Sequence, residues 1–270
     1  MTNRPRSAYG RTPLRTSPAV QRALDIIELL CQADELTLTA VAQRLRLPKS
    51  STYVLLNTLH SRGYLAYSPA TRTYQVGSRI WEAGQFFQAH RILASQALPE
   101  MKAIAAITHE TTQLAVLDGR EALYLAKVDS LHQLRLVSEV GRRLPARASA
   151  IGKVLLAGLP DDEVVSLFAD EPQWEPFTST TITSLPQLLD QLTAIRRDGY
   201  ALDNQEYTPG VRCVAVPILA AEGSVAGALS TSMASVRWTD ASYRLARTQL
   251  WTAAARVSKA LGTKSYQFGD

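Results

Sequence analysis

One stretch, Thr37 to Leu59 (TLTAVAQRLRLPKSSTYVLLNTL), leaves this chain few ways to fold. A threonine at 37 or 39 can accept a hydrogen bond from an orphan N–H and open a helix that turns Leu38, Val41, Ala42 and Leu45 inward. Leu47-Pro48 then ends it, because proline disfavours helical backbone in the residue before it. The same Pro48 suits the first turn of a new helix. That second helix opens with Lys49, Ser50, Ser51, Thr52 and Tyr53 and continues with Val54, Leu55, Leu56 and Leu59. A helix that is small, polar and basic in front and apolar behind can place its first turn in a major groove while the rest packs on a small core. Directly after it, Gly63 to Tyr67, the breaker Ser68-Pro69 and Arg72 to Val76 alternate apolar and polar residues around a turn, which predicts a two-stranded hairpin. Helix, turn, helix and hairpin together make a winged helix-turn-helix. The two helices alone are equally compatible with any solvent-facing helical hairpin.

Charge placement favours the DNA-binding reading. Residues 1–80 hold 11 Lys/Arg against 4 Asp/Glu, while residues 81–270 hold 18 against 20, so the formal net charge of +5 comes entirely from the front of the chain. Segregation of this kind fits one domain that meets phosphates and another that does not. A length of 270 residues allows two domains, each with its own core. There is no apolar run long enough for a membrane span, no export signal and only Cys31 and Cys213 as thiols, so the expectation is a reduced, cytoplasmic protein with no membrane partner.

The expected organisation has four parts. Residues 1–17, with four arginines and no acid, bury too little to order themselves and are expected to be a disordered basic arm. Residues 18–78 form the winged domain, whose supporting helix is expected to turn Val20, Ala23, Leu24, Ile27 and Leu30 inward and to end at Cys31, a small core residue. Residues 79–95 read as a linker helix, with Trp81, Phe86 and Phe87 in need of a partner surface. Residues 96–265 read as an α+β domain: a helix to Thr108, a hairpin around Asp118-Gly119, a strand at 134–138, helices from Ala150, Asp161 and Leu185, strands at 213–219 and 225–232, and a closing helix from Ser242. Strands paired as hairpins with helices to one side predict an antiparallel sheet.

Catalytic constellations fail residue by residue. His60, His90, His109 and His132 have no partner at metal-ligand spacing, so no metal or cofactor is expected. Ala150-Ile-Gly-Lys153 resembles a phosphate loop only superficially, with Arg147 where glycine is needed and Val154 where a hydroxyl is needed. No elbow motif surrounds Ser230. Ligand binding is better supported: a helix starting among the small residues Ala148-Ser-Ala-Ile-Gly leaves backbone N–H groups free to face a carboxylate.

The residues also carry a family resemblance. Pro18-Ala-Val-Gln-Arg-Ala-Leu-Asp-Ile, Leu47-Pro-Lys-Ser-Ser, Gly63-Tyr-Leu, Tyr74-Gln-Val-Gly, Val140-Gly-Arg-Arg-Leu-Pro-Ala-Arg-Ala-Ser-Ala-Ile-Gly-Lys, Ile195-Arg-Arg-Asp-Gly-Tyr-Ala and Gly210-Val-Arg-Cys-Val-Ala-Val-Pro resemble the IclR-type bacterial transcriptional regulators over about residues 18–262. The resemblance implies a winged helix-turn-helix, a linker helix that helps pair protomers, and a GAF/profilin-like effector-binding domain. It implies a dimer or dimer of dimers on a pseudo-palindromic operator in double-stranded DNA, with repression the usual mode and a small organic acid as effector. On the DNA side it points to Lys49, Ser50, Ser51, Thr52, Tyr53 and Asn57 at the groove, Thr39 and Arg44 bracing the first helix, and Arg72 at the wing. On the effector side it points to Ala150 and Ile151 at a helix start, opposite Asp203, Val211, Cys213, Ser230 and Ser232, with Leu136 as an apolar wall. Two positions depart from the family's pattern: Val54 stands where arginine is usual, and Arg147 where histidine is usual. The competing reading from another class is a small-molecule sensor or enzyme whose first domain mediates protein contacts.

Overall fold

A computed structural model describes residues 16–85, 88–130, 132, 139–171 and 173–268. The arm 1–15, the aromatics Phe86 and Phe87, the strand expected at 134–138 and its Leu136 therefore lie outside the described residues. The chain divides into two compact units, with the break between Gln88 and Ala89.

In the first unit, α1 (Pro18–Cys31), β1 (Leu36–Thr37), α2 (Leu38–Arg44), α3 (Lys49–Ser61), β2 (Leu65–Ser68), β3 (Thr73–Val76) and α4 (Ser78–Gln85) follow in order. The strands form a small antiparallel sheet, β1-β3-β2, so the wing is a hairpin with a third short strand added at its edge. Thr37 caps α2 by accepting from the Ala40 N–H at 3.3 Å. The core is Ile26, Leu30, Leu36, Val41, Leu56, Leu65 and Tyr74. Two expectations are corrected here. The buried face of α1 is Ile26 and Leu30, which leaves Val20 and Leu24 more than half exposed. Cys31, expected in the core, is exposed at the end of that helix.

The second unit begins with α5 (Gln88–Thr108), which runs on past the expected end of the linker at residue 95. Pro99 lies inside this helix. The boundary expected at residue 95 is absent, because the buried Leu93, Ala97, Met101 and Ile104 hold one continuous helix on the core. After it come β4 (Thr111–Asp118), β5 (Glu121–Val128), β6 (Arg143–Pro145), α6 (Ala150–Ala157), α7 (Asp161–Phe168), α8 (Leu185–Asp198), β7 (Ala201–Asn204), β8 (Val211–Leu219), β9 (Val225–Ala234) and α9 (Asp240–Ala260). The six strands form an antiparallel sheet in the order β6-β5-β4-β9-β8-β7. Asp118 pairs with Glu121 across the two-residue loop Gly119-Arg120, in which Gly119 takes φ +61°; the hairpin forms at the expected place, but with Asp118 ending the strand and glycine first in the loop rather than Asp-Gly filling it.

This is the expected α+β fold with an antiparallel sheet, but the helices are not confined to one side. Along β4 and β8 alternate residues go to opposite layers: Leu114, Val116, Val214, Val216 and Ile218 pack with α5 and α9, while Ala115 and Ala215 pack with α6, α7 and α8. Both faces are covered, so these strands read as apolar runs rather than as clean alternation. The small residues lie on the α6 side, and they let that helix come close to the sheet.

Candidate effector pocket and DNA-binding face

The N-terminus of α6 decides the geometry of the pocket. Ser149 caps the helix, its Oγ accepting from the Gly152 N–H at 3.2 Å. With the Gly152 N–H used by the cap and the Lys153 N–H donating to the Ser149 carbonyl, the Ala150 and Ile151 N–H groups have no intrahelical acceptor. Gly152 must be glycine, since a Cβ there would stand 2.3 Å from Ala146 Cα. All eight residues of α6 are buried.

Between this helix start and the sheet lies a cavity of about 370 Å³. Ala150, Ile151, Asp203, Val211, Cys213, Ser230 and Ser232 all line it, so every described residue of the expected effector set is brought to one place. β-pairing explains the convergence: Cys213 stands opposite Asp203 on one side and Ser232 on the other, and Ser230 stands opposite Gln113. Gln113, Tyr124, Arg142 and Tyr207 also line the cavity and were missed by sequence reasoning. Gln113 sits among Thr111 and Thr112 at the polar front of its strand, where nothing in the sequence singles it out, and it is buried.

Hydrogen bonds across the strand wall have a direction. Ser230 Oγ and Ser232 Oγ both donate to Gln113 Oε1, at 3.1 and 2.9 Å. Cys213 Sγ lies 3.1 Å from Ser232 Oγ and also shares a hydrogen bond with Asp203, which links the two ends of the wall. Burial pushes this thiol well above the ordinary cysteine pKa, so it is neutral.

Asp203 is buried at the other end of the wall, its Oδ1 accepting from the Glu206 N–H at 2.7 Å. Burial raises its pKa to about 7 and the Glu206 carboxylate adds to the rise, against the lowering effects of that N–H and of Lys153. Behind it, Lys153 Nζ donates to Glu206 Oε1 at 2.6 Å and to Gln191 Oε1 at 2.8 Å, a pair almost wholly removed from solvent. Glu206 Oε2 has no hydrogen-bond partner among the described residues. Lys153, which in the sequence suggested only a failed phosphate loop, is therefore a buried counter-ion one turn behind the pocket. Arg147 is no pocket residue either: its guanidinium lies 5.0 Å from the Trp174 ring and 5.1 Å from the Phe177 ring and donates to the Ile182 and Glu175 carbonyls.

On the first unit, Thr39, Arg44, Lys49, Ser50, Tyr53 and Arg72 are exposed, while Ser51 and Asn57 are half-buried. Thr52 corrects the expected groove-facing set. It is fully buried, and its Oγ1 donates to the Pro48 carbonyl at 3.0 Å. It lies one helical turn before Leu56, on the side of α3 that faces the core.

A winged helix-turn-helix with a basic outer face, joined in one chain to a sheet domain enclosing a polar-and-apolar cavity, defines a ligand-responsive transcriptional regulator. The chain belongs to the IclR family. Residues 19–69 match the family's domain described as IclR helix-turn-helix, and residues 86–259 match the one described as bacterial transcriptional regulator IclR C-terminal. It is 38% identical over 245 residues to the HTH-type transcriptional regulator XynR of Escherichia coli (strain K12), covering 90% of this chain and 97% of that one. The crystal structure of an IclR transcriptional regulator from Alicyclobacillus acidocaldarius superposes with a TM-score of 0.77 at 26% identity, over 92% of this chain and all of that one. An IclR homologue from Microbacterium hydrocarbonoxydans, solved in complex with 4-hydroxybenzoate, matches with a TM-score of 0.77 at 26% identity, over 90% of this chain and 98% of that one. The chain is accordingly a DNA-binding transcriptional regulator with an effector-binding domain, not an enzyme. No helix among its described residues is long and apolar enough to cross a membrane.

Proposed function

We propose that this regulator is a cytoplasmic repressor that binds a pseudo-palindromic operator as a dimer or dimer of dimers and is controlled by a small hydroxylated organic acid held in the 370 Å³ cavity. The observation that carries the reading is the convergence of Ala150, Ile151, Asp203, Val211, Cys213, Ser230 and Ser232 on that one cavity. Its two ends ask for different groups. The Ala150 and Ile151 N–H groups, with the positive end of the α6 dipole and the Arg142 side chain, favour a carboxylate. The strand wall favours donors, because the serine protons are already spent on Gln113 and lone pairs are what Ser230 and Ser232 can offer. A compact acid bearing a hydroxyl satisfies both ends, and 4-hydroxybenzoate in the Microbacterium homologue has that composition.

For the operator, Lys49, Ser50, Ser51, Tyr53 and Asn57 meet the groove or its flanking phosphates, with Thr39, Arg44 and Arg72 on the backbone around them. Pairing of protomers is supported by apolar surface that the first unit leaves uncovered: Val20 and Leu24, one turn apart on α1, and Trp81, 69% exposed on α4. Effector binding acts by favouring one arrangement of the paired recognition helices over another.

A thermal-shift panel of small acids on the full-length protein tests the pocket. Hydroxy acids are expected to raise Tm for the wild type and to lose most of that rise in Ser230→Ala. Equal responses of the two proteins overturn the site assignment. The same acids, added to a mobility-shift assay on the DNA upstream of the gene at stated salt, are expected to release the complex; a complex tightened by the acid overturns repression relieved by effector.

A further inference from the structure

We propose that Arg46, in the turn between α2 and α3, is a contact to the DNA phosphate backbone, held ready by a backbone conformation that works against folding. The turn is a complete Schellman closure of α2: the Leu47 N–H donates to the Ala42 carbonyl at 2.9 Å and the Arg46 N–H to the Gln43 carbonyl at 3.2 Å. This closure needs the left-handed region at its middle residue, and Arg46 has φ +54°. Glycine is the usual occupant there, because a Cβ in that region costs a side chain roughly 1 kcal/mol. No polar or ring contact of the side chain among the described residues offsets the cost. Arg46 is exposed, and among the described residues its side chain makes no hydrogen bond, ion pair or ring contact.

Its surroundings indicate what does offset it. Arg44 and Lys49 lie two residues before it and three after, both exposed, so three cations gather where α3 begins. The wing repeats the pattern: Arg72, at the hairpin turn, has φ +56° and is likewise exposed. Of the other two non-glycine residues with positive φ among those described, Gln205 has its side chain tied internally, its Oε1 accepting from the Gly210 N–H, and His109 is exposed and held at its backbone, where the carbonyl accepts from Ser130 Oγ. Left-handed arginines thus occur at the turn that precedes α3 and at the wing turn between β2 and β3, and both are exposed. A polyanion is the partner that makes arginine better than glycine at such a position, through counterion release and a charge-assisted hydrogen bond.

The full-length protein and its Arg46→Gly and Arg46→Lys variants, titrated with a mixed-sequence duplex between about 50 and 200 mM salt, provide the test, since binding without sequence preference is almost wholly a backbone effect. Arg46→Gly is expected to melt at or above the wild-type temperature, yet to bind several-fold more weakly at the low-salt end. Its plot of log K against log salt is expected to be shallower by about one. Arg46→Lys keeps the backbone cost and the charge, so it is expected to recover the wild-type slope. Wild-type affinity and slope in Arg46→Gly overturn the contact. Weaker binding accompanied by a lower Tm in that variant also overturns it, because the turn and not the charge would then be responsible. So does a slope in Arg46→Lys that stays with the glycine variant.

Discussion

Helices α3 and α6 begin alike and end up in opposite surroundings. Each opens among serines and small residues and carries a lysine in its first two turns, although Pro48 stands directly before α3 while Ser149 caps α6. The front of α3 is open, with Lys49, Ser50 and Tyr53 exposed, whereas α6 is buried along all eight residues and its Lys153 is 1% exposed. A helix start supplies the same partial positive charge in both places. On the function proposed above, what packs around it decides which anion it can serve: a polymer met through long, salt-screened side chains, or a small molecule met through backbone N–H groups at close range.

The largest expected effect is on the buried side. Lys153→Met strips the partner from Glu206 and leaves a carboxylate buried and unpaired, at a cost of about 3–5 kcal/mol in chemical denaturation. Adding Glu206→Gln is expected to recover most of the loss. If Lys153→Met unfolds like the wild type, the contrast between the two lysines is broken.

Asp203 sharpens the same point through pH. Its folded pKa, about 7, lies above its ordinary value of 3.8, so between those limits the folded state holds a proton the unfolded chain has released. Stability from this group is therefore greatest in acid and is lost as pH rises through 7. Asp203→Asn removes the loss: relative to wild type the variant is expected to gain on the order of 2–4 kcal/mol at pH 8 and little at pH 4, read from denaturation midpoints. Neutral Asp203 also repels an anionic ligand less, so affinity for acids is expected to rise as pH falls from 8 to about 6, with proton uptake measurable by calorimetry. An affinity that falls over that range removes Asp203 from the binding wall.

On the open side the effects are smaller and divide between stability and binding. Thr52→Ala loses a buried methyl and the bond to the Pro48 carbonyl, about 1–2 kcal/mol of stability. Lys49→Ala leaves the midpoint unchanged and makes the salt dependence of DNA binding shallower by about one. Were these two variants to exchange behaviours, the two faces of α3 would have been assigned the wrong way round.

How much of this could be read in the sequence follows from how local the causes are. The starts of α2 and α3 depend on Thr37 and Pro48, which act within one turn and were legible, whereas α2 stops at Arg44 through a left-handed Arg46 that no glycine marks in the sequence. The Asp118-Gly119 hairpin was legible too. The inward face of α1 was not, because Val20 and Leu24 fit a helical stripe as well as Ile26 and Leu30 do, and only contacts with α3 and β3 separate them. Short strands β6 and β7 carry too few residues to show a period, and they exist because longer strands lie beside them. In the pocket, Asp203, Cys213 and Ser230 came through resemblance, while Gln113, which receives both serine protons, needed the register of β4 on β9. Lys153 needed Glu206, 53 residues away.

The cavity has one more consequence. Two covered sheet faces would ordinarily close into dense interior, yet about 370 Å³ stays open between the start of α6 and the sheet. Whatever settles there becomes part of the interior and shares in every contact that keeps the domain from melting. Cells rich in that compound would then hold a longer-lived protein as well as a differently disposed one, and its abundance would itself keep a record of recent metabolism.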